Sequence, residues 1–197
     1  GLVLEAGGIP LPLGIIGDDF NAMLQASREA MNRPVDMLLL SGGSSVGKRD
    51  FTLEVLQELD GTELLAHGVS IRPGKPTIFA RRGNCALFGL PGHVASAMVV
   101  FYLFVRPLLL RMCGAEKTVL QRLSAITGEQ IPSSIGREEY VRVRLEYQPH
   151  SLFPVASPVY GKSGLLKPLV AADGMLKIER DCEGLDKGEQ AEVLLFP

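Results

Sequence analysis

The 197-residue chain has only three cysteines, Cys85, Cys113 and Cys182, far apart and with no C-x-x-C pair among them. An odd, scattered set argues against a zinc site or a disulfide framework and points to a reducing compartment, read as the cytoplasm. Strong charge of either sign is missing too. Lys and Arg number 20 against 22 Asp and Glu, a formal net charge of −2, so no basic field attracts nucleic acid and no acidic tail suggests disorder. There is no long hydrophobic run. The most apolar stretch, VASAMVVFYLFV at Val94 to Val105, falls short of the roughly 20 residues of a bilayer span. Arg106 and Pro107 end it, and a buried core helix is the expectation, with no membrane partner. No charged-then-apolar leader opens the chain. It opens on GLVLEAGG, which reads as the end of a helix closed by glycine, and suggests a fragment whose N-terminal part is missing.

What is present is a packed globular composition, 46% hydrophobic and 21% charged. Up to about residue 116, apolar runs alternate with helical patterns, the rhythm of a parallel α/β sheet. Strands are expected at Ile9 to Ile16 and Val35 to Leu40, and helices at Phe20 to Met31 and Phe51 to Leu59. Asp18 or Asp19 is the natural cap of the first helix. A hairpin is expected around Arg82-Gly83-Asn84, then a long helix from Val94 to Met112 stopped by Gly114. After residue 117, five short candidate strands, near 119–126, 139–147, 153–158, 175–178 and 191–195, are separated by turn residues. That spacing predicts a small antiparallel barrel or sandwich.

The loop SGGSSVGKRD, Ser41 to Asp50, carries the sharpest signal. Gly42 to Lys48 spells G-x-x-x-x-G-K, but the P-loop hydroxyl that would meet Mg²⁺ is replaced by Arg49. A glycine pair between a strand and a helix still lets backbone N–H groups approach an anion. A plain strand-to-helix turn, with Asp50 as helix cap, is the competing reading. The adjacent carboxylates Asp18 and Asp19 either cap a helix or share a cation with that loop, provided the strands before them run parallel to the same sheet edge. RPGKP presents Arg72 and Lys75 on a proline-stiffened turn. LPGHVAS is a second glycine junction, with Pro91, Gly92, His93 and Ser96 at a helix start. Arg142 and Arg144 share one face of a strand in the second half, and Tyr160 to Gly164 is a polar glycine loop. No Ser-His-Asp arrangement stands out.

Together and in this order, GIIGDD, LLLSGGSSVGKRDF, IRPGKPTIF, FGLPGHVASA, GREEYVRVRL, YGKSGLL, AADGMLKI and LDKGEQAEVLLF resemble the MoeA family of molybdopterin molybdenumtransferases, and the related E domain of gephyrin. The resemblance implies a Mog-like molybdopterin-binding α/β domain with a parallel sheet over 1–116, its first strand missing, followed by a small C-terminal β-barrel domain over 117–197. It implies Mg²⁺-dependent insertion of molybdate into adenylylated molybdopterin. Asp18 and Asp50 match acidic residues of the metal and molybdate region. Gly42, Gly43 and Ser44 match the pterin-phosphate loop, Arg72 and Lys75 the cationic segment, and Pro91, Gly92 and Ser96 the second junction. Arg142 and Ser163 match polar barrel positions near the family's active site. A homodimer, and contact with other molybdenum cofactor biosynthesis proteins, is implied as well. His93 stands where the family often has Asn, and His67 and Arg72 where lysines are common. With its N-terminal domains absent, the chain alone is expected to have little insertion activity. The rival readings are a Mog-type molybdopterin adenylyltransferase, against which the second-half barrel argues, and a gephyrin-like scaffold without chemistry.

Overall fold

The computed structural model describes residues 1–42, 51–117, 119–161 and 171–197. The chain divides into two compact units, residues 1–69 with 74–118, and residues 70–73 with 119–197.

The first unit holds a four-stranded sheet in the order β1-β5-β4-β2, where β1 is Met37–Ser41, β2 is Thr62–His67, β4 is Ile78–Arg82 and β5 is Cys85–Leu90. Only β1 and β5 run parallel; β2, β4 and β5 form an antiparallel run, so the described sheet is mixed. The β4–β5 hairpin turns at Gly83, as the Arg82-Gly83-Asn84 signal predicts. One face of the sheet is covered by α2 (Phe20–Met31) and α3 (Phe51–Gln57), whose Leu24, Ala30, Val55 and Leu56 pack with Leu38, Leu40, Ile78 and Leu87. From the opposite face Phe79 stacks edge-on against Phe88 and against Phe104 of the long helix.

That helix runs from Val94 to Met112, 19 residues, and by length and composition alone it could cross a membrane. Its first two-thirds is core: Ala95, Ser96, Val99, Val100, Phe101, Tyr102 and Val105 are buried. Pro107 does not stop it. Proline removes one i→i−4 bond and its ring crowds the carbonyl one turn back. Here a π-helical turn, Phe101–Val105, sits between α4 (Val94–Val100) and α5 (Arg106–Met112) and absorbs that misfit. Burial, and next the nearby Glu5 carboxylate, push the Tyr102 hydroxyl up to about 12.

The strand expected over Ile9 to Ile16 is not formed. After the single helical turn α1 (Leu2–Glu5) these residues are irregular, and Ile9, Leu11, Leu13 and Ile15 are exposed. The alternation that suggests a strand is present. Pro10 and Pro12, however, supply no N–H for a ladder, and Gly14 turns into the left-handed region at φ +87°.

In the second unit, β6 (Arg122–Thr127), β8 (Glu138–Glu146), β9 (Val155–Pro158), β10 (Gly174–Ile178) and β12 (Gln190–Leu195) close into a five-stranded barrel in the order β10-β12-β6-β9-β8, completed by the β8–β10 pairing. These are the five strands the turn spacing predicts. Ala125, Val143, Ala156, Leu176, Ile178 and Val193 fill the interior. Closure needs Gly174, since a Cβ there would meet the Leu194 carbonyl oxygen at 2.5 Å. The two-residue strand β3 (Ile71–Arg72) joins this sheet alongside β8, and β7 (Ile131–Pro132) pairs with β11 (Gly184–Leu185).

Glu138 at the start of β8 is gripped by two donors, the Tyr140 hydroxyl at 2.8 Å and Lys177 Nζ at 3.0 Å. Burial alone would push this carboxyl up, yet the bonds from Tyr140 and Lys177 hold it below the usual carboxylate range. A depressed carboxylate contributes stability that is present above its unfolded pKa and lost as pH falls through its folded one. Glu138→Gln is therefore expected to lower the melting temperature at pH 7, and the gap from wild type should narrow as the pH falls through and below the usual carboxylate range. Paired thermal melts across pH check it; a gap independent of pH contradicts it.

Candidate functional site

The parallel strands β1 and β5 end together, with Ser41 in register with Leu90. Beyond them the chain continues as Gly42 on one side and Pro91-Gly92 on the other. Gly42 has φ +102°, a conformation that side-chain-bearing residues rarely adopt. Both of its peptide groups are engaged. Its N–H donates to the Leu90 carbonyl at 3.3 Å, and its carbonyl accepts the Thr52 hydroxyl at 2.6 Å. A Cβ on Gly92 would lie 3.4 Å from the Gly42 Cα, so the two junctions pack backbone against backbone. The result is two glycine positions, Gly42 and Gly92, in backbone contact at the carboxyl ends of parallel strands. That is where open α/β sheets take ligands.

Pro91 is buried and anchors the second junction, while Gly92 and His93 are exposed. His93 is the N-cap residue of α4 but makes no side-chain cap bond, so its family departure from Asn carries no capping contact here. Ser96 is buried in the first turn of the same helix.

Of the two adjacent carboxylates, Asp19 is the cap: its Oδ1 accepts the Ala22 N–H at 2.8 Å. Asp18 is exposed, and none of the described hydrogen bonds or ion pairs engages its side chain. The expected route from Asp18 to the glycine loop, two parallel neighbouring strands, is not available because residues 9–16 form no strand. The rings of Phe20 and Phe51 stand 6.5 Å apart, which sets the starts of α2 and α3 side by side. Gly43, Ser44, Asp50 and Ser163 lie outside the described residues. Among the described residues no three His, Cys, Asp or Glu side chains cluster to hold a metal ion.

The RPGKP stretch divides. Lys75 belongs to the first unit. Its carbonyl accepts the Val69 N–H at 2.9 Å, and the buried Thr77 hydroxyl donates to the Gly74 carbonyl at 2.6 Å, so a braced backbone presents an exposed ammonium. Arg72 belongs to the second unit. There its Nε lies 3.5 Å from Glu139 Oε1, and Glu139 also accepts the Ser133 hydroxyl. It is a paired cation on β3, where the sequence suggests two free cations on one turn.

Arg142, on β8 opposite Met175, is different again. Its Nη1 is buried without a hydrogen-bond partner among the described residues, and burial pushes its pKa down. A guanidinium nitrogen held dry and unpaired is a place where an anion is favoured. Arg144, on the same strand face, is exposed.

No sequence motif singles out Thr52. It is fully buried, yet it lies beside Val55 and Leu56 on the inner face of α3. A lone hydroxyl on a helix's core stripe is the signal that could find it, because a buried hydroxyl needs a partner.

Residues 1–111 match the family described as probable molybdopterin binding domain, and residues 124–196 match the MoeA C-terminal region (domain IV). The chain is 32% identical to the molybdopterin molybdenumtransferase of Bacillus subtilis, over 98% of this chain and 44% of that protein. It is 28% identical to the Haemophilus influenzae molybdopterin molybdenumtransferase, over 94% of this chain and 46% of the relative. The solved structure of a molybdopterin biosynthesis MoeA protein from Pyrococcus horikosii superposes with a TM-score of 0.84 at 33% identity, covering all of this chain and 46% of that one. The chain thus spans under half the length of these relatives. It belongs to the molybdopterin-binding domain family, in the MoeA arrangement in which that domain is followed by the MoeA C-terminal region.

Proposed function

We propose that this chain binds molybdopterin at the Gly42 and Gly92 junctions and serves, within a longer molybdenumtransferase, the insertion of molybdate into adenylylated molybdopterin. The observation that carries this reading is the backbone packing of Gly42 against Gly92 at the ends of β1 and β5. A backbone junction between a strand end and a helix start is where an anion such as a pterin phosphate is taken. Lys75, exposed on its braced turn, adds a cation from the same unit.

Mg²⁺ takes few protein carboxylates and completes its shell with water and substrate phosphates. Asp18, left unengaged by the capping role of Asp19, fits that demand, with Asp50 as second donor. Bound there, the metal supplies Lewis-acid stabilisation of phosphate charge when the phosphoanhydride is cleaved. Arg142 in the barrel unit stabilises an anionic group of the substrates, molybdate included. In the longer molybdenumtransferase, Asp18→Asn is expected to abolish Mg²⁺-dependent cleavage of the adenylate, read as release of AMP, while leaving molybdopterin bound.

The same reading takes the working form as a cytoplasmic homodimer that meets other molybdenum cofactor biosynthesis proteins. It is tested by giving the chain adenylylated molybdopterin, molybdate and Mg²⁺. Binding with little or no cofactor formation is the result expected of this chain alone, and robust cofactor formation overturns the expectation of inactivity. Incubation with ATP and molybdopterin separates the adenylyltransferase rival: adenylate formation would replace molybdate insertion as the function.

A further inference from the structure

Thr52 ties together structural features that otherwise have no common purpose. Its hydroxyl donates 2.6 Å to the Gly42 carbonyl, across ten residues of sequence, and so fastens the exit of β1 to the first turn of α3. Its methyl group occupies the space a side chain on Gly89 would need: a Cβ there would come within 2.9 Å of Thr52 Cγ2 and 3.0 Å of Ile78. Gly89 is opposite Ile78 in the β4–β5 register, one residue before the Leu90 that accepts the Gly42 N–H. Gly42 is thus held from both sides, by β5 through its N–H and by α3 through its carbonyl, and Gly92 packs on its Cα.

We infer that Thr52 is a positioning residue of the molybdopterin site: its hydroxyl fixes the orientation of the Gly42 peptide and, through it, the junction that faces the ligand. This rests on the reading of that junction as the pterin site. Every buried hydroxyl needs an acceptor; the one Thr52 uses is the carbonyl of a left-handed glycine where the strand gives way to the loop.

Two substitutions separate hydroxyl from shape. Thr52→Val keeps the branched shape and removes the donor; Thr52→Ser keeps the donor and removes the methyl. Thr127→Val is the control for lost stability, because Thr127 is equally buried and donates its hydroxyl to the Asp186 and Glu189 carbonyls in the barrel unit. Molybdopterin is titrated calorimetrically into each variant of the 197-residue chain at a temperature where all are folded. The expected result is a loss of affinity of about tenfold or more for Thr52→Val, with Thr52→Ser near wild type. Thr127→Val should bind as wild type despite a lowered melting temperature. Hydrogen exchange of the Gly42 amide should quicken only in Thr52→Val. Wild-type affinity in Thr52→Val, or equal losses in the Val and Ser variants, overturns the positioning role and leaves the site reading intact. Absence of molybdopterin binding by the wild-type chain overturns both.

Discussion

Gly42→Ala is expected to abolish molybdopterin binding by this chain and to cost about 1–3 kcal/mol of stability. Among the described residues nothing lies within 4 Å of a Cβ added at Gly42, so crowding by them is not the cause. The cause is the backbone. At φ +102° an alanine is strained, and relief means rotating the peptides flanking residue 42, one held through its N–H by Leu90 and the other through its carbonyl by Thr52. Whichever way the strain resolves, the backbone at Gly42 is re-aimed. The check is a melting curve alongside a binding titration. A variant that loses stability but keeps its affinity would show that this glycine serves the turn alone.

Arg142→Met should separate affinity from stability in the opposite sense. A half-buried cation whose Nη1 has no hydrogen-bond partner among the described residues carries desolvation that they do not offset. Replacing buried charge by an apolar chain of similar reach is often neutral or stabilising. The melting temperature is therefore expected to hold or rise. If Arg142 waits for an anion, molybdate affinity should fall by roughly tenfold to a hundredfold, the loss of one charge-assisted contact. A destabilised variant with unchanged molybdate binding would make Arg142 a structural residue of the barrel.

The parts of the fold legible in the sequence are those that depend on local pattern. The five barrel strands follow from turn residues at regular spacing, the β4–β5 hairpin from Arg82-Gly83-Asn84, and the start of α2 from an aspartate at its N-cap. What depends on long-range partners is not legible. Residues 9–16 have strand-like alternation but no ladder, and Pro10 and Pro12 are the warning of it. Arg72 sits three residues from Lys75, yet pairing between β3 and β8 carries it into the other unit. The π-helical turn before Pro107 follows from fitting a proline inside a packed helix, which the apolar pattern does not encode.

The site divides in the same way. Glycines and serines after an apolar run suggest a ligand loop, and Gly92 suggests a second. That the two meet backbone to backbone requires β1 and β5 to be parallel neighbours in register, which the sequence does not state. Thr52 escapes a motif search because its partner is a carbonyl ten residues away, and side-chain motifs do not record carbonyls.

The most direct test is a calorimetric titration of molybdopterin into the 197-residue chain and into its Gly92→Val variant. A valine side chain at 92 would project toward the Gly42 Cα, where a Cβ alone already reaches 3.4 Å. Saturable one-to-one binding by the wild type, lost in a variant that still melts cooperatively, is the predicted result. No binding by the wild type, or equal binding by both proteins, would contradict the assignment of the paired glycine junctions as the molybdopterin site.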